Sequence, residues 1–303
     1  MPKIFDSHSH YIPPEVAKNT AFFKVFWSDA EAQLKSMDAH GIEKALLLYP
    51  STDAHLNMGG WGNVCRIYNE GVAAVVKKHK DRFVGAGIVP VDNAQALKEE
   101  LKRIEGLGLK AISIASSYEG KYLDGEIFFP AWEFAGEKNF PIHVHPQIIN
   151  PIGEDRVRDP LLSPVLEYVF DVSMCIGKMM MEGTFLKFPK VKFIFAHYGG
   201  VLPFVKERFD NTYQMLLKRN FVKDLSKLPS EYFKNLYFDV SGSKSPAALA
   251  CALELADAGH VLWGSDYPAN QNIGESIGVL VVSPLTAEQK NLIFCENFQR
   301  IFA

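Results

Sequence analysis

Eight short apolar segments, each followed by a stretch of helical periodicity, leave a chain of 303 residues few folds to choose from. Residues 3–10, 44–49, 83–89, 111–115, 140–145, 192–196, 235–240 and 260–265 read as strands. Runs such as Lys44-Ala45-Leu46-Leu47-Leu48-Tyr49 barely alternate, the pattern of a parallel sheet covered on both faces. Helical patterns follow at 28–40, 63–79, 94–106, 128–138, 161–187, 201–217, 247–258 and 286–302. The first is framed by Ser28 as N-cap, Glu31 three residues on as in a capping box, and Gly41 as stop. No Gly/Ser-rich linker divides these units, so they predict an α/β fold: a single-domain (β/α)8 TIM barrel over residues 1–303. Segment 11–27 carries Pro13-Pro14 and the aromatics Phe22, Phe23, Phe26 and Trp27. It reads as a loop or short helix over the barrel mouth, its rings either walling a substrate pocket or anchoring the loop.

The chemistry-bearing residues fall at the C-terminal ends of these strands, where barrel enzymes build their sites. Asp6, His8 and His10 close the first strand at spacing two, which in a strand puts all three on one face. His143 and His145 close the fifth, His197 follows the sixth, and Asp266 ends the eighth. Three imidazoles and a carboxylate, with one position left for water, make a catalytic zinc-type site. His145, the last residue before Pro146, is the preferred ligand of its pair, with His143 one layer deeper as support; the alternative assignment stays open. Asp266 is otherwise a helix N-cap, since Pro268 follows, and Asp6 is either a partner orienting a ligand ring or a strand-entry residue. His40, His55, His79 and His260 are assigned to surface or structure, and Met174 and Met179 to Met181 to packing.

Composition narrows the partners. A net charge of -3 and a pI near 6.3 give no reason to expect nucleic acid or an anionic membrane. Cys65, Cys175, Cys251 and Cys295 are far apart, as befits small buried hydrophobes in a reducing compartment. The N-terminus leads directly into a strand, and no apolar run approaches the roughly 20 residues that span a bilayer. A cytoplasmic protein is expected.

The motifs Asp6-Ser7-His8-Ser9-His10, His143-Val144-His145-Pro146, Phe195-Ala196-His197-Tyr198-Gly199-Gly200 and Gly264-Ser265-Asp266-Tyr267-Pro268 together resemble the amidohydrolase superfamily. More narrowly they resemble its amidohydrolase-related branch, the aminocarboxymuconate-semialdehyde decarboxylase-like enzymes. Asp81-Arg82-Phe83-Val84-Gly85, Leu107-Gly108-Leu109, Phe188-Pro189-Lys190-Val191-Lys192 and residues 204–208 extend the likeness over nearly the whole chain. The resemblance implies that His8, His10, His145 and Asp266 bind one divalent metal, usually zinc, with manganese as the alternative. It implies His197 as the acid/base residue beside a metal-bound water, and Arg208 reaching across a homodimer interface to a substrate carboxylate. The Gly199-Gly200 pair lets backbone approach the site closely.

Absences and departures refine this expectation. The branch with a carboxylated lysine between two metals needs Lys at the end of the fourth strand, where this chain has Ile114-Ala115-Ser116-Ser117, so a single metal is favoured. Some decarboxylases of the branch replace the first His by Glu and prefer manganese; His8 points to zinc. Lys24 stands where the family enzyme has a substrate-binding arginine, Gln147 where it has tryptophan, and Ala269-Asn270-Gln271-Asn272 follows Asp266; these changes are expected to line the pocket. Arg208, Lys24, Arg156 and Arg158 are candidate carboxylate partners and favour an acidic substrate, which a decarboxylase or a hydrolase could use. The leading expectation is a decarboxylase of a small unsaturated or aromatic carboxylic acid. In that reading metal-bound hydroxide or His197 helps protonate the carbon that later loses CO2, and the metal also fixes the substrate. A hydrolase of a lactone, amide or ester of a small carboxylic acid, with Asp266 and His197 shuttling protons, is the alternative. A non-catalytic metal-holding barrel is a third reading.

Overall fold

The computed structural model describes residues 3–19, 25–50, 52–153, 159–242 and 244–302. Eight parallel strands form the centre: β1 (Ile4–His10), β2 (Ile42–Leu48), β3 (Phe83–Gly87), β4 (Ala111–Ala115), β5 (Ile142–His145), β6 (Phe193–Phe195), β7 (Tyr237–Asp239) and β8 (Val261–Leu262). They pair in chain order, each with the next. The ring closes through backbone hydrogen bonds from Ser7 N–H to the Trp263 carbonyl (3.0 Å), Asp266 N–H to that of His8 (2.7 Å) and His10 N–H to that of Tyr267 (2.7 Å). Around it run α1 (Ala30–His40), α2 (Gly60–Lys78), α3 (Ala94–Gly106), α4 (Phe129–Lys138), α5 (Tyr168–Met181), α6 (Leu202–Leu217), α7 (Pro246–Leu255) and α8 (Ile273–Val282), with the shorter Ala287–Asn291 and Asn297–Phe302 closing the chain. The chain is the TIM barrel expected of eight βα units.

The core lies between strands and helices. Leu46, Ile112, Phe193, Phe195 and Phe238 are buried on the strands, and Trp132 of α4 packs edge-on against Phe193 at 5.1 Å. Removing such side chains from water stabilises the fold by about 1.5–3 kcal/mol each.

Local structure departs from expectation in four places. Asp29, not Ser28, caps α1: its carboxylate accepts from Ala32 N–H at 2.9 Å, while Glu31 turns to Lys78 at 2.7 Å. Gly41 ends that helix in the left-handed region at φ 68°, as expected of a glycine stop. The helix expected over 161–187 is interrupted. Pro164 lies in a wide π-type turn at Ser163–Glu167, and Gly183, at φ 78°, separates α5 from the short Thr184–Lys187. Helix α8 falls where no helix is expected, because its run Val279-Leu280-Val281-Val282 is apolar without a helical period. Finally, β8 ends at Leu262, four residues before the left-handed turn at Asp266 (φ 59°).

Candidate metal centre and active-site cavity

The ends of β1, β5, β6 and β8 meet at one rim. His8 and His10 lie on β1, which shifts register between Asp6 and Ser9. His145 closes β5 level with Ala115 of β4, and His197 and Asp266 follow β6 and β8. His8 Nε2 is 3.2 Å from His10 Nε2 and 3.4 Å from Asp266 Oδ1, and His10 Nε2 is 3.2 Å from that same oxygen. One donor atom from each of His8, His10, His145 and Asp266 lies within 4.8 Å of all the others. Asp266 caps no helix; its carboxylate faces the rings.

The opposite ring nitrogens set the tautomers. His8 Nδ1 is 3.0 Å from Asp239 Oδ2, and a carboxylate only accepts, so Nδ1 carries the hydrogen and Nε2 presents a lone pair. His145 Nδ1 lies 2.9 Å from the Pro146 carbonyl, which fixes its ring the same way. Nitrogen lone pairs converging at this spacing repel unless a cation lies between them. Ligands 2.0–2.1 Å from a tetrahedral cation stand about 3.3 Å apart, so the donor set fits one divalent metal. Burial pushes His8 down to about 4, more than the nearby Asp239 and Asp266 restore, and holds His145 well below the usual histidine range. Both rings are therefore neutral near pH 7, as metal ligation requires. Burial alone would raise the Asp266 carboxyl, but the His10 hydrogen bond and the His8 and His197 rings hold it below its usual value.

A layer deeper, His143 Nε2 meets Asp239 Oδ2 at 2.9 Å. Asp239 thus joins two rings, and their N–H groups reverse the effect of its burial and hold its carboxyl well below the ordinary range. His8, His143 and Asp239 also cluster within 4.8 Å, but that group is wholly buried and its carboxylate is already met by N–H donors. Asp239 and Ser241 belong to the hydrogen-bond network behind the cluster, and sequence reasoning missed both. The signal was present, since Tyr237-Phe238-Asp239 is another apolar strand closed by an acid. Asp6 binds neither a ring nor solvent: it accepts from His8 N–H (3.0 Å), Ser265 N–H (2.9 Å) and Ser265 Oγ (2.5 Å), tying β1 to the end of β8.

His197 stands beside the cluster, its ring centroid 5.1 Å from His8 and 5.9 Å from His145. Its Nδ1 lies 3.0 Å from Ser241 Oγ and 3.3 Å from the Ser241 carbonyl, while Ser241 Oγ donates to Asp239 Oδ1 at 2.5 Å. A carbonyl cannot donate and the hydroxyl hydrogen is engaged, so Nδ1 carries the proton and Nε2 is the basic nitrogen. His197, Tyr198, Gly199 and Gly200 all have positive φ, from 51° to 70°. A Cβ on Gly200 would sit 2.1 Å from the Val169 carbonyl oxygen.

A cavity of about 1070 Å3 opens over this rim, lined at its inner end by His10, His145, His197, Ser241 and Asp266. Trp27 also lines it, its ring 5.4 Å from His10; Phe26 does not, and Phe22 and Phe23 lie outside the described residues. Gln147, expected in the pocket, is instead buried behind it: its amide donates to the Ser117 carbonyl (2.7 Å) and Asp53 (2.9 Å), whereas Ala269 does line the cavity. Arg208 is exposed on α6 and does not line the cavity of its own chain. Lys24, Arg156 and Arg158 lie outside the described residues.

A family model described as amidohydrolase matches residues 5–303, and the chain belongs to that family of enzymes. The gamma-resorcylate decarboxylase of Rhizobium sp. (strain MTP-10005) is 26% identical over 322 residues, covering 97% of this chain and 96% of that protein. The 2-amino-3-carboxymuconate-6-semialdehyde decarboxylase of Dictyostelium discoideum is 29% identical over 212 residues, covering 68% of this chain; the match spans 56% of that relative. Among solved structures, 5-carboxyvanillate decarboxylase of Novosphingobium aromaticivorans complexed with manganese and 4-hydroxy-3-methoxy-5-nitrobenzoic acid superposes with a TM-score of 0.87 at 22% identity, covering 99% of this chain and 96% of that one. At that identity the likeness speaks for the fold. No helix among the described residues is long and apolar enough to cross a membrane.

Proposed function

We propose that this chain is a divalent-metal-dependent decarboxylase of a small aromatic carboxylic acid. The observation that carries the proposal is the convergence of His8, His10, His145 and Asp266 beside His197 on the floor of an otherwise apolar cavity. Relatives aligned along nearly their whole length are decarboxylases of such acids, which favours loss of CO2 over hydrolysis.

His8, His10, His145 and Asp266 would hold the metal; when bound, it supplies a Lewis-acid anchor for the acid's oxygens and neutralises their charge. The neutral rings and the charged Asp266 make that donor set. Three imidazoles suit zinc, and manganese is the ion in a related structure, so metal analysis of the purified protein decides between them. His197 delivers the proton. From its imidazolium form, Nε2–H protonates the ring carbon bearing the carboxylate; the carbon–carboxylate bond then breaks, its electron pair restores the aromatic ring, and CO2 leaves. Ser241, hydrogen-bonded between His197 Nδ1 and the Asp239 carboxylate, stabilises the charged ring and keeps Nε2 available. The apolar walls exclude water, which strengthens these electrostatic contacts. We place Arg208, exposed on α6, against the substrate carboxylate of the partner in a homodimer.

The test is CO2 release from hydroxybenzoic acids by purified metal-loaded protein, repeated with His197→Ala. The expected loss in kcat is about 10²–10⁴-fold with metal content unchanged. Uptake of water by an ester, lactone or amide with no CO2 from any acid would replace this reading with hydrolysis, and an unchanged rate in the variant would remove His197 from the chemistry.

A further inference from the structure

Beyond the inner rim the cavity changes character. Ile149, Val165 and Phe204 line it although they are 36%, 55% and 74% exposed, and Val169, Val201 and Ala248 continue the apolar wall between α5, α6 and α7. Among the described lining residues there is no Lys or Arg, and the one carboxylate of the outer part, Asp159, accepts from Leu161 and Leu162 N–H at 2.8 and 3.1 Å. Drug-sized ligands fill pockets of roughly 300–1,000 Å3, so a cavity of about 1070 Å3 is far larger than a single-ring acid needs. Exposed apolar groups at the mouth of a site, continuous with its interior, mark a surface that a ligand or a partner covers.

We infer that the substrate carries an extended apolar substituent, an alkyl chain or second ring, on the side of its ring away from the carboxylate. It lies along Val169, Val201 and Ala248 and reaches the rim at Val165 and Phe204. A second anionic group at that end would meet apolar walls and the Asp159 carboxylate, because Arg208 is assigned to the carboxylate at the metal. This deepens the proposed function and rests on it.

The test uses metal-loaded enzyme and a series of 2-hydroxybenzoates bearing hydrogen, methyl, propyl and pentyl groups para to the carboxylate, with the para-carboxy analogue beside them. kcat/KM is expected to rise by about two- to fourfold per buried methylene, and the para-carboxy acid to fall below the unsubstituted one. Ala248→Phe, which fills the wall, and Val165→Asp, which charges the rim, should each bring the pentyl-to-hydrogen ratio back toward one. A flat or falling series in the unaltered enzyme, or a preference for the dicarboxylate, overturns the inference and leaves the apolar rim to a second copy of the chain. If no acid releases CO2, the proposed function fails instead. Calorimetric binding of the corresponding 3-alkylphenols then still reads the cavity: affinity rising with chain length supports the apolar subsite, and length-independent affinity overturns it.

Discussion

At the scale of single residues, Asp239 shows how much of the site is held from behind. It fixes the Nδ1 side of His8 and Nε2 of His143 and reaches His197 through Ser241. Asp239→Asn keeps the shape and removes the charge; we expect metal affinity to drop about 10–100-fold, measured by titrating metal into the chelator-treated protein. Unchanged affinity would show that Asp239 does not tune the ligand rings. The same buried rings set an acid limit for the metal-free protein. An unfolded chain protonates His8, His143 and His145 near pH 6.5, whereas in the fold all three are lowered by burial, His8 to about 4. The unfolded state therefore takes up more protons as pH falls from about 6.5 to about 4, and stability falls with it, by up to about 1.4 kcal/mol per pH unit for each uncompensated proton. Asp6, raised by burial to about 7, acts oppositely over this range because the fold binds its proton first. His55, also lowered by burial to about 4, adds to the loss, and Asp171, raised by burial, joins Asp6 against it; four rings against two carboxyls leave a net loss on acidification. Denaturant titrations of chelator-treated protein at pH 7, 6 and 5 check it; a midpoint that holds or rises would refute the sign.

At the scale of elements, the turn after β6 carries the strain that puts His197 in place. Two non-glycine residues there, His197 and Tyr198, adopt positive φ, which costs about 1–3 kcal/mol each and persists only where the surroundings enforce it. Gly200 makes the close approach possible, since Ser173 Oγ would also lie 2.2 Å from an added Cβ. Gly200→Ala should destabilise by at least about 2 kcal/mol and lower kcat, because α5 must move away from the turn. Gly278 of α8, with open space around its Cβ direction, is the control: alanine there should stabilise by about 0.5–1 kcal/mol. Equal effects in thermal or denaturant unfolding would mean that the turn is not under constraint. The β8 end is the other irregular element, and Asp6 braces it through Ser265.

At the scale of the whole molecule, the cavity presents no described lysine or arginine, while Arg208 points outward on α6, one turn beyond Phe204 at the rim. If the partner's cavity receives it, Arg208→Ala should raise KM by about 10–100-fold, the worth of a charge-assisted hydrogen bond, with monomer stability unchanged within about 0.5 kcal/mol. Steady-state kinetics and light scattering check this. A monomeric enzyme with unaltered KM would return Arg208 to the surface.

Much of this was readable in advance because it is local. Apolar strands covered on both faces and capped glycines such as Gly41 declare the barrel, and His8, His10, His145, His197 and Asp266 stand out because each breaks an apolar run at its C-terminal end. Asp29, not Ser28, took the cap because its carboxylate reaches Ala32 N–H. Other features depend on contacts between distant segments. Gln147 turned away from the pocket because Asp53 and Ser117 offered hydrogen bonds behind it; Asp239 became central only when closure of the barrel turned the end of β7 toward His8 of β1 and His143 of β5. Residue order by itself determined the strands, their parallel burial and the rim on which the polar groups stand, since these follow from side-chain periodicity. Only closure of the barrel decided which nitrogen of each ring faces the cluster, which acid lies behind it, and how wide the apolar chamber above it is. Those follow from hydrogen bonds and packing between residues up to 259 positions apart, which no local pattern encodes.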